Sequence, residues 1–317
     1  MSAKLARVME AFYGSQWALR RETLAMFQML LHRAASNVKL SDEEIKAAIG
    51  DAPAAAADRK QREQGAGGGV IAVLPIFGVI AHRAHLVQDI SSTAGTSTEL
   101  LGHAFRAAMA DTSVSAIILD IDSPGGSVFG VGELAAEIHA ARGQKRIVAS
   151  VNSQAASAAY WLAAAADEIV ITPGGIAGSI GVWSAHEDWS KHLENEGVKV
   201  TLISAGKYKV EGNPYEPLSA DARAAEQAMV DKYYSLFTRA VAKYRGDSSE
   251  NVRAGYGEGR VLVSDDAVKA KLADRVGTFD EVVAGVQKDI RKQQRSGAAN
   301  PGNAAARIAL AEAGIPQ

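Results

Sequence analysis

The sequence contains no cysteine. Disulfide bonds, cysteine-ligated zinc, iron–sulfur clusters and thiol nucleophiles are therefore excluded, and any covalent chemistry has to come from Ser, Thr, Lys or a carboxylate. Aromatic residues are also scarce, at 6% of the chain, whereas glycine is frequent, with 30 residues. Small residues in this proportion favour closely packed backbones and loops that a reacting group can approach.

Neither sign of charge dominates, because the chain has 34 Lys and Arg residues and 36 Asp and Glu residues, which give a net charge of −2. Without a basic excess for binding phosphates, a nucleic-acid partner is not expected. The most apolar stretch, residues 155–166, is shorter than the roughly 20 residues that a membrane span needs. The short apolar run at residues 24–31 contains Gln28 and lacks the cleavage site of a signal peptide. We expect a chain without a membrane anchor that stays in the cytoplasm.

The distribution of apolar residues divides the chain into four regions. Residues 1–50 show helical periodicity, with two amphipathic helices expected over residues 3–36. Residues 51–69 are rich in Ala and Gly and lack bulky apolar side chains, which is typical of a linker. Residues 70–287 form the main domain, and residues 288–317 are expected to be a flexible, Ala-rich tail.

Strands and helices alternate in the main domain, which predicts an α/β fold with a mainly parallel sheet. The predicted strands are residues 70–80, 115–121, 147–151, 169–172 and 198–203. The predicted helices are residues 97–109, 130–141, a segment that starts near residue 157, and residues 219–244.

Two glycines follow the second of these strands, in the segment Asp120 to Ser127. Consecutive glycines at such an exit, here Gly125 and Gly126, expose backbone N–H groups to which a developing oxyanion can bind. A tight turn without any chemical role explains the same residues equally well.

A serine stands at the next strand exit. Ser157 begins a helix of small residues, where the positive end of the helix dipole and the following N–H group favour an oxyanion. This is a plausible position for a nucleophile. The alternative is that Ser157, or Ser153 before it, only caps the helix.

A serine nucleophile needs a base, and none of the seven histidines lies in a recognisable triad pattern. A lysine can take this role when desolvation lowers its pKa from about 10.4 and leaves a neutral amine. Lys207 and Lys209 follow the predicted strand at residues 198–203, and in an extended chain both would point to the same side. On composition alone both would be surface lysines.

Five segments in a fixed order resemble the signal peptide peptidase A family of Ser–Lys peptidases, over about Val70 to Val283. They are SPGG (123–126), QAASAAYW (154–161), AADEIVITPGGIAGSIGV (165–182), SAGKYK (204–209) and GRVLVSDDAVKAKLADRVG (259–277). The resemblance implies a fold of the Clp protease and crotonase type, built from repeated ββα units, with residues 1–50 as a helical appendage.

The resemblance also implies the roles of the site residues and favours Lys209 over Lys207. The implied roles are Ser157 as nucleophile, Lys209 as general base, Ser179 as the serine that orients the lysine, and Gly125 or Gly126 with Ala158 as oxyanion-hole donors. It implies a serine endopeptidase that needs neither a cofactor nor a metal.

The chain departs from the family pattern at two places. Ala158 and Ala159 stand where the family commonly has two glycines after the nucleophile, so we expect the approach of a substrate backbone to differ there. Leu262 stands where the closing segment usually has a tryptophan. Neither departure affects Ser157 or Lys209.

The chain resembles the head-maturation proteases of tailed phages in its arrangement of linker and tail. It also has N-terminal helices where the cellular signal peptide peptidases generally have a membrane anchor. This resemblance implies a homo-oligomer whose neighbouring subunits complete one another's sites. It also implies cleavage of scaffold or capsid proteins, and possibly of its own tail, in the host cytoplasm and inside the procapsid. Because the site segments are rich in Ala and Gly, we expect small residues near the cut.

Three alternatives remain open from the sequence. One is a cytoplasmic peptidase that degrades peptides, and another is a capsid scaffold component without catalytic activity. The third is a crotonase-like acyl-CoA enzyme, in which Glu133 or Glu137 would transfer protons, but that reading leaves the Ser and Lys motifs unexplained.

Overall fold

The computed structural model describes residues 16–20, 23, 69–83 and 95–298, with side chains as far as residue 293. The strands of this part are β1 (Trp17–Leu19), β2 (Val70–Ala81), β3 (Gly95–Ser97), β4 (Val114–Ser127), β5 (Arg146–Ala156), β6 (Glu168–Ile171), β7 (Ile176–Gly178), β8 (Val261–Val263) and β9 (Arg275–Val276). The helices are α1 (Thr98–Ala110), α2 (Val131–Ala140), α3 (Ala158–Ala164), α4 (Ser190–Asn195), α5 (Ala220–Arg245), α6 (Ser249–Gly255), α7 (Ser264–Lys269) and α8 (Phe279–Ala298).

The centre of the fold is a sheet of parallel strands in the order β3-β2-β4-β5-β6-β9. Strand β7 pairs parallel with β5 and antiparallel with β8, and β1 pairs antiparallel with β4. Helices α2 and α3 connect β4 to β5 and β5 to β6, as parallel strands require. This topology confirms the predicted α/β class and agrees with the Clp protease and crotonase type of fold.

The sheet is buried on both faces, because successive side chains of a strand point to opposite sides. In β4, Ile117 and Leu119 belong to the larger core, whereas Ile118 belongs to a second, smaller core. The smaller core is completed by Val282, Val286 and Ile290, among others, so α8 covers this face of the sheet. None of the helices in the described ranges is long and apolar enough to cross a membrane.

Two strands run further than the sequence predicts. Strand β4 continues through both glycines to Ser127, because its end pairs with β2 on one edge and with β1 on the other. Strand β5 continues to Ala156, because its last residues pair with β7. Both extensions bring the predicted site segments together as neighbours in one sheet.

Helix α3 is buried along its whole length, and the carbonyl groups at its C-terminal end accept hydrogen bonds from a charged side chain. The guanidinium of Arg142 donates hydrogen bonds to the carbonyl oxygens of Ala164, Ala165 and Ala166, as well as to that of Tyr244. The last carbonyls of a helix have no partner within the helix and carry partial negative charge, so a cation is favourable there. Arg142 thereby fixes the helix that starts just after Ser157.

Residues 17–19 are a strand, although they fall within the predicted helices at residues 3–36. Their backbone hydrogen bonds go to β4 and to Trp183, and this tertiary pairing overrides the helical periodicity of the side chains. Residue 23 is helical. The rest of the predicted N-terminal helices and nearly all of the linker at residues 51–69 lie outside the described residues.

The predicted strand at residues 198–203 is wrong, because these residues pair with no strand of the described part. Several of its apolar side chains are exposed, including Val198 (50%), Leu202 (41%) and Ile203 (95%). The pattern that predicted a strand is therefore present, but the described part of the chain supplies neither a partner strand nor a core for it.

The predicted tail begins as helix. Helix α8 runs through Lys288 to Ala298, because Val282, Val286 and Ile290 recur at helical spacing and pack against the sheet. The prediction of a flexible segment from residue 288 is thus wrong up to residue 298. Residues 299–317 lie outside the described part.

An ion pair joins the end of α5 to the edge of the sheet. Arg245, whose side chain is only 9% exposed, donates two hydrogen bonds to the carboxylate of Asp274, at 2.7 and 3.0 Å. The same carboxylate accepts the backbone N–H of Ile169 at 2.7 Å. Burial alone would raise the pKa of Asp274, but the hydrogen bonds from Arg245 and Ile169 outweigh it and lower that pKa.

Replacing this carboxylate should destabilise the fold in a pH-dependent way. The pKa of Asp274 is lower in the folded protein than in the unfolded chain. The stabilisation that its carboxylate contributes is therefore complete at pH values above the pKa in the unfolded chain. It is lost as the pH falls through the pKa in the folded protein. We expect Asp274→Asn to lower the free energy of unfolding by about 1 kcal/mol at pH 7, since Arg245 loses its counter-charge while solvent screens the partly exposed Asp274 carboxylate.

Urea denaturation at pH 7 and near pH 3 measures this difference. The matched control is Asp266→Asn, which removes an exposed ion pair to Lys269 and should change stability by less than about 0.5 kcal/mol. Equal stability losses for Asp274→Asn at both pH values would contradict the assignment.

Candidate active site

Ser157 lies at the junction between strand β5 and helix α3, with its backbone in an unusual conformation. Its φ is 57° and its ψ is −117°, and the residue is 1% exposed. A positive φ in a residue other than glycine costs about 1–3 kcal/mol and persists only where the surroundings enforce it. Such strained residues cluster at functional sites, so Ser157 is the first candidate for one.

Backbone hydrogen bonds hold Ser157 in place on both sides. Its N–H donates to the carbonyl oxygen of Gly178 at 2.7 Å, and its own carbonyl accepts the N–H of Trp161 at 3.0 Å. The hydroxyl does not cap helix α3 and instead donates a long hydrogen bond to the Gly181 carbonyl at 3.4 Å. Capping therefore does not explain this serine, and its hydroxyl has only a weak partner.

Helix α3 is anchored by two large side chains next to Ser157. The Tyr160 hydroxyl donates to the Leu272 carbonyl at 3.0 Å, and complete burial raises the pKa of Tyr160, so it remains a donor. The Trp161 ring stacks on Phe237 with 4.5 Å between centroids and 6° between planes. These contacts fix the first turn of the helix, and with it the position of Ser157.

Gly125 passes so close to Ser157 that no side chain fits between them. A Cβ atom at Gly125 would lie 3.0 Å from the Ser157 Cβ, 2.9 Å from the Ala156 oxygen and 2.3 Å from the Ala18 oxygen. The φ of Gly125, 101°, also favours glycine. Its N–H donates to the Ser123 hydroxyl at 3.2 Å.

The two other predicted oxyanion donors differ in their surroundings. Gly126 lies within the sheet, opposite Ile80 of β2 and Ala18 of β1. Ala158 is the first residue of α3, so its N–H has no acceptor within the helix. Of the predicted donors, Ala158 and Gly125 are thus the two that adjoin Ser157 directly.

Ser179 is brought to the same place by strand β7. Because the Ser157 N–H bonds to Gly178, the next residue, Ser179, lies beside the nucleophile candidate. It is half-buried, has a φ of 54° and donates its N–H to the Arg260 carbonyl at 2.7 Å. Two serines with positive φ therefore adjoin one another in the structure.

Lys209 is not part of this buried cluster. It is exposed, within a series of turns at residues 205–212, and its N–H donates to the Gly206 carbonyl at 3.1 Å. Among the described residues, its amine makes no hydrogen bond or ion pair. Lys207 is also exposed and lies over the Tyr208 ring at 4.8 Å. The chain is not extended here, so the expectation that both lysines point to one side does not apply.

Sequence reasoning missed that strand β1 borders the site. Trp17, Ala18 and Leu19 pair with Gly125 to Ser127, and the carbonyl oxygen of Ala18 faces Gly125. Trp183 flanks β1 on its other edge and is part of the wall of a cleft of about 910 Å³. Nothing in the local sequence indicates this strand, because its partners are more than a hundred residues away.

The residues of the acyl-CoA alternative are engaged elsewhere or exposed. Glu137 forms an ion pair with Arg106 at 2.9 Å, and Glu133 is exposed on α2. Within the described ranges, no group of three or more His, Asp or Glu residues is arranged to hold a metal ion.

The sequence matches the model of Peptidase family S49 over residues 139–293. "Head-tail preconnector protein GP5" of Enterobacteria phage P21 is 34% identical over 227 residues, which cover 72% of this chain and 44% of that protein. "Capsid assembly protease C" of Escherichia phage lambda is 34% identical over 229 residues, or 72% of this chain and 51% of that protein. "Protease 4" of Haemophilus influenzae is 27% identical over 225 residues, which cover 71% of this chain and 35% of that protein. The chain spans about half the length, or less, of these curated relatives.

Among solved structures, a mutant of the "1510-N membrane-bound stomatin-specific protease" is similar, with a TM-score of 0.45 and 14% identity, over 69% of this chain and 85% of that chain. The family match covers Ser157, Ser179 and Lys209, and thus both the buried serine pair and the exposed lysine segment. Residues 139–293 therefore form a domain of the Peptidase family S49 type.

Proposed function

We propose that the protein is a serine endopeptidase with Ser157 as nucleophile. The observation that carries this proposal is the Ser157 backbone, held at a φ of 57° between β5 and α3, against a glycine with no room for a side chain. The S49 match and the protease names among the relatives support the same reaction class.

The reaction would proceed through an acyl-enzyme. The neutral amine of Lys209 accepts the Ser157 proton while the Ser157 oxygen bonds to the scissile carbonyl carbon. The carbon–nitrogen bond then breaks, and the ammonium of Lys209 returns the proton to the leaving amine. Water hydrolyses the ester, and the N–H groups of Ala158 and of Gly125 or Gly126 stabilise the oxyanion in each step. Ser179 would hold the lysine amine in position.

This role for Lys209 requires an environment with less access to water than the isolated chain provides, because burial favours the neutral form of an amine. The segment before Lys209 exposes apolar side chains, of which Ile203 is 95% exposed and Tyr208 is 58% exposed. We propose that a second copy of the chain covers this segment in a homo-oligomer, and that Lys209 of one copy serves Ser157 of its neighbour. The association would bury the apolar side chains and desolvate the amine together.

We also propose that the substrates are capsid or scaffold proteins, because two of the relatives are named as a capsid assembly protease and a head-tail preconnector protein. The backbone around Ser157 is lined by Gly125, Ala156 and Ala158, which favours small residues near the cut. A cellular peptidase that degrades peptides would use the same site on other proteins.

Substituting either member of the proposed pair should abolish proteolysis. We expect Ser157→Ala and Lys209→Ala to lower the rate of casein or scaffold cleavage by at least about a thousandfold, because nucleophile and base act as one unit. The matched control is Lys207→Ala, which removes a neighbouring surface lysine and should keep the rate within about threefold. Cleavage that survives either of the first two substitutions would disprove the pair.

Mixing the two inactive variants tests where the lysine comes from. If Lys209 acts on the neighbouring copy, a Ser157→Ala and a Lys209→Ala subunit form one intact site between them. After subunit exchange at equal amounts, about a quarter of the sites should combine both residues, and activity should return in proportion. Fluorogenic casein measures the recovery. Two variants that stay inactive after verified exchange would place both residues within one chain.

A further inference from the structure

Residues 16–20, here called the N-terminal strand segment, lie between two other stretches of backbone at the site. On one edge they pair with β4, where Arg20 N–H donates to the Pro124 carbonyl at 3.0 Å and Gln16 accepts from Val128 at 3.3 Å. On the other edge Trp17 exchanges two hydrogen bonds with Trp183, at 2.9 and 3.0 Å. An extended segment thus fills a slot between two polypeptide segments.

The register places Ala18 at the centre of the slot. Hydrogen-bonded pairs alternate with non-bonded pairs along an antiparallel ladder. Since Arg20 pairs with Pro124 and Gln16 with Val128, the hydrogen-bonded pair between them is Ala18 and Gly126. The Gly126 N–H, one of the predicted oxyanion donors, therefore faces the N-terminal strand segment.

The carbonyl group of Ala18 also lies next to Ser157. The Ala18 oxygen and the Ser157 Cβ both lie within 3.0 Å of the position that a Cβ at Gly125 would take. A backbone carbonyl of the chain itself thus lies close to the nucleophile candidate.

Side-chain contacts hold the segment in the slot. Trp17, Ala18 and Leu19 are at most 4% exposed. The Trp183 indole N–H donates to the Leu19 carbonyl at 3.1 Å, and the Arg20 guanidinium donates to the Gln154 side chain at 3.1 Å. The slot is therefore closed to any second peptide while the segment remains.

We propose that the slot between β4 and Trp183 is the peptide-binding groove and that the chain's own residues 16–20 occupy it as an intramolecular competitor. An extended peptide binds at a sheet edge through the same main-chain hydrogen bonds that β1 makes here. A substrate enters only when the N-terminal strand segment leaves, so release of this segment switches the enzyme on. This inference rests on the proposed peptidase function, but the groove can be tested without catalysis.

The absence of cysteine provides a direct test. Trp17 and Ser127 form a non-bonded cross-strand pair, whose spacing of about 4.5 Å between Cα atoms suits a disulfide. In the double variant Trp17→Cys and Ser127→Cys, an oxidant locks the segment in the groove, and a reductant releases it without affecting any other bond. We expect the oxidised form to cleave casein at least about tenfold more slowly than the reduced form, because the fraction with an open groove falls.

The single variants Trp17→Cys and Ser127→Cys are the controls, and neither should respond to oxidation or reduction. Mass spectrometry verifies that the disulfide has formed. A verified disulfide that leaves the cleavage rate unchanged would overturn the proposal while leaving the peptidase function intact.

A binding measurement separates the groove from the chemistry. In the same double variant carrying Ser157→Ala, a fluorescent peptide with the sequence of residues 14–22 should bind after reduction and not while the disulfide is closed. The matched peptide carries Ala18→Pro, which removes the N–H that pairs with Gly126 and should bind at least about tenfold more weakly. Equal binding to the oxidised and reduced forms, or no binding to either, would disprove the groove. Binding in the reduced form without any cleavage by the parent chain would instead disprove the peptidase function.

Discussion

The absence of a side chain at Gly125 is the constraint on which the rest of the site depends. Two other stretches of backbone approach it there, one at Ala18 and one at Ala156 and Ser157, and any Cβ atom would collide with two carbonyl oxygens. Strand β4 can run past its glycines only because nothing projects from them, and this lets β1, β2 and β5 all adjoin its end. The many small residues of the sequence are therefore concentrated where polypeptide backbones, including that of a substrate, have to come into contact.

Strain in the two serines is balanced by rigid packing around them. Ser157 and Ser179 each carry a positive φ, and each is held by a 2.7 Å backbone hydrogen bond, to Gly178 and Arg260 respectively. The cost of about 1–3 kcal/mol per residue is offset by a helix that is buried from end to end and bonded at its last carbonyls by Arg142. In the proposed mechanism, Ser157 is already held in position, whereas the exposed lysine segment would have to be covered before Lys209 could act.

Local sequence patterns predicted most of the central fold, because each pattern has a local physical cause. The predicted helices at residues 97–109 and 219–244 begin with Ser97 and Ser219, and in the structure each of these serines accepts a hydrogen bond from the N–H group three residues later. The errors occur where distant partners decide the structure. Residues 17–19 acquire a strand partner, residues 198–203 pair with no strand of the described part, and Ile290 packs against the sheet. The serine cluster was predictable from family motifs. Composition alone predicted Lys207 and Lys209 as surface lysines, and both are exposed. The base role that the resemblance implies for Lys209 did not predict this exposure, since solvent access depends on what covers a segment.

The antiparallel position of β1 in a parallel sheet has a consequence for the order of folding. Every partner of this strand is remote in sequence, with 134 residues between Arg20 and Gln154 and 164 between Leu19 and Trp183. Contacts of such high sequence separation carry a high loop-closure cost and form slowly. The pairs that β4 makes with β2 and β5 join residues much closer in sequence. We therefore expect β1 to pair with β4 after these strands have associated, so that the sheet around Ser157 does not depend on β1 for its formation.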